Sequence, residues 1–331
     1  MPAFLTHYAC GIKGYHSLRP GELKSAIAQH TNVYNVGLAG PDLFFYSIVE
    51  MMRSGMTTGR MIHKFRTGLF FRHFYERVES LEGEDLKIGR AYLAGFIGHY
   101  CLDTNAHALV YRRCTAPNDK QALGKHFRYE AAMDGMACRH ILGRDINSSH
   151  QMGLIRFTGR ERKVVAKILS ETIRDTFGGE AKVPSKLRLQ LLFREYVLIT
   201  GLLIDPTGMK EWIYQWGERK RKGFVHMSPL FINRNQYGLK EADWIQFRRR
   251  FDRGCSFLNV CLNKYEDVIC GRIHKEELFR TIGSRSFNGM FHDVASLPLP
   301  LKELYEIDAD RKKAYSDSKS MYEAAFHRTN G

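Results

Sequence analysis

The chain contains no uninterrupted run of 18 apolar residues, which argues against a membrane-spanning helix. It has no CxxC pair. Its seven cysteines (Cys10, Cys101, Cys114, Cys138, Cys255, Cys261 and Cys270) are odd in number and widely spaced, which argues against a disulfide scaffold and for free thiols. The opening residues MPAFLTHYACGIKG lack the basic start, apolar stretch and small-residue cleavage site of a secretory signal, so a reducing, cytoplasmic location is expected. Strand-type alternation is scarce, and neither an internal repeat nor a low-complexity tract is found. Acidic residues are also few relative to basic ones, with Asp and Glu at 35 against 50 for Lys and Arg, a net charge of +15.

What remains has ordinary globular composition, 44% apolar and 26% charged over 331 residues. That length suits one large helical domain, or a helical core with an elaborated C-terminal half. The positive excess gathers in runs such as Glu218 to Lys222 (ERKRK), Arg248 to Arg250 and Arg311 to Lys313. It favours anionic partners, among them phospholipid headgroups on a peripheral membrane surface, nucleic acids and other phosphodiesters, although a solvated basic surface carries the same signature.

Helical periodicity predicts helices near 20–30, 42–53, 59–80, 87–113, 124–142, 160–177, 186–203, 241–270 and 318–327, an all-α fold. Pro20, Pro41 and Pro184 stand where helices begin, and Gly143, Gly178 and Gly179 where they stop. Composition shifts at GGEAKVP (178–184), which divides a helical core over 1–180 from a helical extension over 181–331 packed on it. Segments 204–240 and 282–303 are richer in Gly, Pro and Asn and read as irregular connections.

The chemistry concentrates between Gly98 and Glu130. GHYCLDTNAH places His99, Asp103 and His107 four residues apart, and KHFRYE places His126 and Glu130 four apart. Each step of four advances about 40° around a helix and about 6 Å along it, so each set forms one stripe. The helix carrying the first stripe is otherwise apolar on most sides, as for a helix running through a core. Ionisable groups there need mutual hydrogen bonds, a water channel or cations, and neutral imidazole with carboxylate is a zinc donor set. A single His on an apolar face is ordinarily a satisfied core residue; the HxxxDxxxH triple followed by HxxxE is harder to account for that way. Further ligands are sought in the N-terminal third: His7, Asp42 in the turn AGPDLFFY, and His63, with His73 as its rival. Asp42 has an alternative role as a helix N-cap.

MPAFLTH, GLAGPDLFFY, His63, GHYCLDTNAH and HFRYE, in this order over about residues 1–140, resemble the zinc-dependent phospholipase C family, in particular its signal-less bacterial members. More distantly they are similar to the secreted phospholipases C and the S1/P1 nucleases, which share an all-helical trinuclear zinc fold. The resemblance implies two or three zinc ions. One would be held by Asp42, His63, His99 and a bridging Asp103, and a second by His107, His126 and Glu130. A third would use His7, Asp103 and an N-terminal residue that is usually Trp in the family. Here the chain reads Met-Pro, which leaves three alternatives: the Pro2 nitrogen completes the third site, the site is empty, or it is differently built. The step from Asp103 to His107 is four, where the secreted enzymes have six.

The activity implied is phosphodiester hydrolysis of phospholipase C type, phospholipid to diacylglycerol plus phosphorylated headgroup, by a zinc-bound hydroxide with Asp42 as the catalytic carboxylate. Two alternatives stand beside it: an S1/P1-like nuclease acting on single-stranded nucleic acid, and a non-catalytic helical scaffold that retains the fold.

Overall fold

The computed structural model describes residues 4–51, 57–114, 122–146, 151–220, 231, 240–287, 289, 300–304 and 306. Helices dominate these residues, in keeping with the all-α expectation. The predicted helix at 318–327 lies outside them.

The N-terminal part is built from α1 (Phe4–Ser17), α2 (Glu22–Gln29), α3 (Thr31–Gly37), a 3₁₀ segment (Gly40–Tyr46), α4 (Ile48–Met51), α5 (Thr58–Lys64) and α6 (Thr67–Glu79). The long α7 (Gly83–Cys114) and α8 (Ala122–Ala137) follow. A π-type turn over Cys138–Leu142 extends α8 and ends where Gly143 takes φ +62°. The chain continues through α9 (Gln151–Leu154), α10 (Gly159–Phe177), α11 (Lys186–Leu203), α12 (Met209–Lys220), α13 (Glu241–Ile269) and α14 (Lys275–Ile282).

Helix α7 is the axis of the molecule. Tyr92, Phe96, Ile97, His99, Tyr100 and Leu102 along it are all buried. Helix α3 lies so close to it that a Cβ on Gly95 would meet the Tyr34 carbonyl oxygen at 2.1 Å. On another side α13 crosses α7, with Gly254 against Leu102, and α1, with Leu258 against Gly14. Glu266 of α13 accepts from the backbone N–H groups of Glu22 and Leu23, capping the start of α2. One buried core therefore contains residues from both sides of position 180, from Phe4 to Leu304.

The sequence reading needs correction at several elements. Helices α1 and α3 form although none was expected. Gly11 and Gly14 lower helix propensity in α1, yet both lie where Leu38 and Leu258 press close. Within the expected helix at 42–53, residues 42–51 are a 3₁₀ turn and then the short α4, and 52 and 53 lie outside the described residues. The stretch 59–80 is broken at Phe65 and Arg66, where Arg66 takes a left-handed φ of 53°. Residues 204–240 were expected to be irregular but include α12, and α14 lies where no helix was expected.

Candidate metal centre

Five elements bring the sequence-predicted residues together. His7 comes from α1, Asp42 from the 3₁₀ segment, His63 from α5, His99, Asp103 and His107 from α7, and His126 and Glu130 from α8. Gly40 makes the approach possible. Its φ is +53°, and a Cβ there would lie 2.4 Å from the His99 ring, so a residue with a side chain would push the turn away from α7.

Asp103 sits at the centre. Its oxygens lie 3.3 Å from His7 Nε2, 3.8 Å from His63 Nε2, 3.1 Å from His99 Nε2 and 3.4 Å from His107 Nδ1. His63 Nε2 also faces Asp42 Oδ1 at 3.1 Å. Glu130 Oε1 lies 3.2 Å from His107 Nε2 and 3.0 Å from His126 Nε2. The His7 and His99 rings stack with centroids 4.1 Å apart. Three groups of potential ligand atoms result, each with all atoms within 4.8 Å of one another: His7, His99 and Asp103; Asp42, His63 and His99; His107, His126 and Glu130.

Two backbone carbonyls decide how the rings present themselves. His63 Nδ1 donates to Gly59 O at 2.7 Å, and His99 Nδ1 donates to Leu38 O at 3.0 Å. A carbonyl oxygen only accepts, so the hydrogen of each neutral ring lies on Nδ1 and a lone pair on Nε2. Each lone pair then faces a carboxylate oxygen at 3.1 Å. Two acceptors in that position need a proton or a cation between them. Consistent with this, Asp42 Oδ1, His99 Nε2, Asp103 Oδ2 and Glu130 Oε2 are buried without a hydrogen-bond partner among the described residues. The donor set fits a divalent cation of the zinc type, with imidazoles pre-oriented by outer carbonyls.

The charges point the same way. Burial pushes the Asp42 carboxyl upward, but the surrounding positive charge, to which the His63 and His99 rings contribute, outweighs it and brings its pKa down to about 2. Asp103 and Glu130, although buried, are held well below the usual carboxylate range, chiefly by His107 and His99 for the first and by His126 and His107 for the second. Burial opposes charge on His107, yet Asp103 and Glu130 together raise it to about 9. His7 is lowered by burial and by the neighbouring His99. Three buried carboxylates that stay ionised at neutral pH attract cations.

His73, the rival of His63, is elsewhere, its Nδ1 3.2 Å from Thr176 Oγ1. Asp42 is not a helix cap, since Ala39 occupies that position. Three supporting residues escaped the sequence reading. Asp134, one turn beyond Glu130 on α8, accepts from Leu5 N, Thr6 N and Thr6 Oγ1 at 3.2, 2.9 and 2.6 Å, fixing the start of the helix that carries His7. Glu50 accepts from Thr58 N at 2.8 Å and so caps the helix carrying His63. Phe287 donates its N–H to His63 O at 2.9 Å and packs its ring on His63 and His99. Of these only Asp134 left a trace in the sequence, as the third member of a stripe with His126 and Glu130.

A family model described as zinc dependent phospholipase C matches residues 6–183, more than half of the chain. The chain belongs to the zinc dependent phospholipase C family. The match spans all eight candidate residues and ends before α11, leaving α11 to α14 outside it. Membership supports metal-dependent phospholipase activity in general and a phospholipid as the substrate class. No curated protein and no solved structure matches the chain. Among the described residues, no helix is long and apolar enough to cross a membrane.

Proposed function

We propose that the protein is a phospholipase C that hydrolyses the phosphodiester of a phospholipid, releasing diacylglycerol and a phosphorylated headgroup. Two or three zinc ions would be held by His7, Asp42, His63, His99, Asp103, His107, His126 and Glu130, with Asp103 shared between ions. When bound, zinc supplies Lewis acidity that polarises phosphoryl oxygens and makes water more acidic.

The chain's own residues do the rest. His63 and His99, locked by the Gly59 and Leu38 carbonyls, cannot turn their Nε2 atoms away, so the geometry is set before substrate arrives. Asp42, ionised and at the edge of the cluster, accepts a hydrogen bond from the attacking water and orients it toward phosphorus. Phe287 covers the His63 and His99 rings with an apolar surface, which keeps bulk water from that side. We further propose that residues 1–180 carry the chemistry and that 181–331 form a helical layer sharing their core.

The observation that carries this reading is the opposition of the His63 and His99 lone pairs to the Asp42 and Asp103 carboxylates, inside a chain of this family. The test is a paired assay of zinc-loaded protein, in a zinc-buffered reducing solution, on a dispersed short-chain phosphatidylcholine and on single-stranded DNA. Release of phosphocholine without DNA cleavage is expected, and a chelator should abolish it. Nucleotide release without lipid cleavage would favour the nuclease reading, which the +15 charge suits. Inertness of the zinc-loaded protein toward both would favour the scaffold.

A further inference from the structure

Helix α11 is apolar on two opposite sides. Its inner face buries Leu189, Leu192, Phe193 and Tyr196, and Tyr196 packs on Tyr46 of the segment that carries Asp42, with ring centroids 4.9 Å apart. Arg188 donates to Ser47 Oγ at 2.6 Å and fixes the start of the helix against the same segment. On the outer face, Leu187, Leu191, Leu198 and Leu202 repeat at steps of 4, 7 and 4, which places them within about 60° of one another around the axis. All four are exposed, three of them by 59% or more.

The next helix continues the pattern. No residue of α12 is buried. Met209, Trp212, Ile213 and Trp216 lie within about 100° on one face and are exposed by 62, 65, 53 and 53%. Glu211 and Glu218 lie opposite. The turn from α11 is held firmly, since Lys210 Nζ donates to the Leu202 and Ile204 carbonyls and Asp205 accepts from Glu211 N at 2.9 Å. At the end of the stripe Lys220 Nζ stands 4.4 Å from the Trp216 ring centroid, and Arg219 beside it adds a second positive charge to the last turn.

Eight exposed large apolar side chains on two consecutive helices need a partner. Indole rings with a polar N–H, paired with a basic cluster at the end of an apolar stripe, suit the boundary between acyl chains and anionic headgroups. We propose that the outer leucines of α11 and the apolar stripe of α12 dock the protein on the surface of an anionic phospholipid bilayer. The proposal takes the phospholipid substrate class from the function proposed above, but none of its metal chemistry. Because the opposite face of α11 packs on the Asp42 segment, docking here would bring lipid alongside the metal centre.

The experiment compares the full chain with the double variant Trp212→Ser, Trp216→Ser, each with circular dichroism as a check of folding. Binding is read by co-sedimentation with vesicles of phosphatidylcholine alone and of an equal mixture of phosphatidylcholine and phosphatidylglycerol. The parent should bind the mixed vesicles more tightly than the neutral ones, with a blue shift of Trp fluorescence. The double variant should lose about tenfold or more in affinity, a change of about 1.4 kcal/mol. Its hydrolysis of a dispersed short-chain substrate should match the parent's. Equal binding by parent and variant, or no binding by either, would overturn the proposal. So would a parent dimer in solution that the double variant converts to monomer, since a second copy of the chain would then be the occupant. Vesicle binding by a hydrolytically inert protein would sink the proposed function and leave the docking surface standing; hydrolysis without vesicle binding would do the reverse.

Discussion

His63 Nε2 and Asp42 Oδ1 face each other across 3.1 Å while the other ring nitrogen of His63 is committed to the Gly59 carbonyl. A neutral ring in that position opposes a lone pair to a carboxylate, an arrangement favourable only with a positive charge between them. Asp42→Asn would put an amide N–H where the carboxylate oxygen lies and satisfy the ring directly. Zinc affinity should fall by at least about tenfold, because a charged ligand has gone. Titration calorimetry with zinc checks this; unchanged zinc affinity in a folded Asp42→Asn variant would contradict the arrangement.

His107 makes zinc loading depend on pH. In the metal-free protein its pKa is raised from 6.5 to about 9, so its charge contributes stability that is fully present below pH 6.5 and lost as pH rises through about 9. Zinc takes the neutral ring, and loading near pH 7 must displace that proton. Titration calorimetry in buffers of different ionisation enthalpy should show proton release near neutrality that diminishes above about pH 9. Release that does not change across that range would show that His107 is not a ligand.

Asp134 has the opposite environment, a buried carboxyl raised to about 7 by burial despite the lowering pull of Thr6 and Leu5. A folded-state pKa above the unfolded value of 3.8 means that its contribution favours the fold at acid pH and is lost as pH climbs from about 4 through 7. Asp134→Asn should remove that part of the slope, flattening stability between about pH 4 and 7 in urea unfolding. Asp134→Ala should cost about 2 kcal/mol through the unsatisfied start of α1, and weaken zinc binding at His7 before any effect on His126 and Glu130. An alanine variant as stable as the parent would remove Asp134 from the account.

Much of the cluster was legible because its candidate ligands repeat at helical spacing. His99, Asp103 and His107 stand four apart in an apolar stretch, where three ionisable groups have no routine explanation, and His126 and Glu130 repeat the step on α8. Asp42 and His63 were legible mainly through the family resemblance, since a lone Asp after Gly-Pro and a lone His on an amphipathic stretch each have ordinary roles. The helices that escaped notice did so for physical reasons. Helix α1 is held by close packing at Gly11 and Gly14 rather than by propensity, α3 gains its stability against α7, and the helical spacing of Met209, Trp212, Ile213 and Trp216 in α12 is short and lies within a stretch rich in Gly, Pro and Asn. Phe287 could not have been foreseen, since nothing in its neighbourhood of the sequence indicates that it closes over the His63 and His99 rings, 224 and 188 positions earlier.

The count of zinc ions per chain tests the central claim most directly. Protein purified without chelator and equilibrated with zinc should carry two or three ions by elemental analysis, and Asp103→Asn should lose more than one of them, because its carboxylate reaches four imidazoles. A folded parent that retains no zinc, or an Asp103→Asn variant that retains the parent's full complement, would contradict the account.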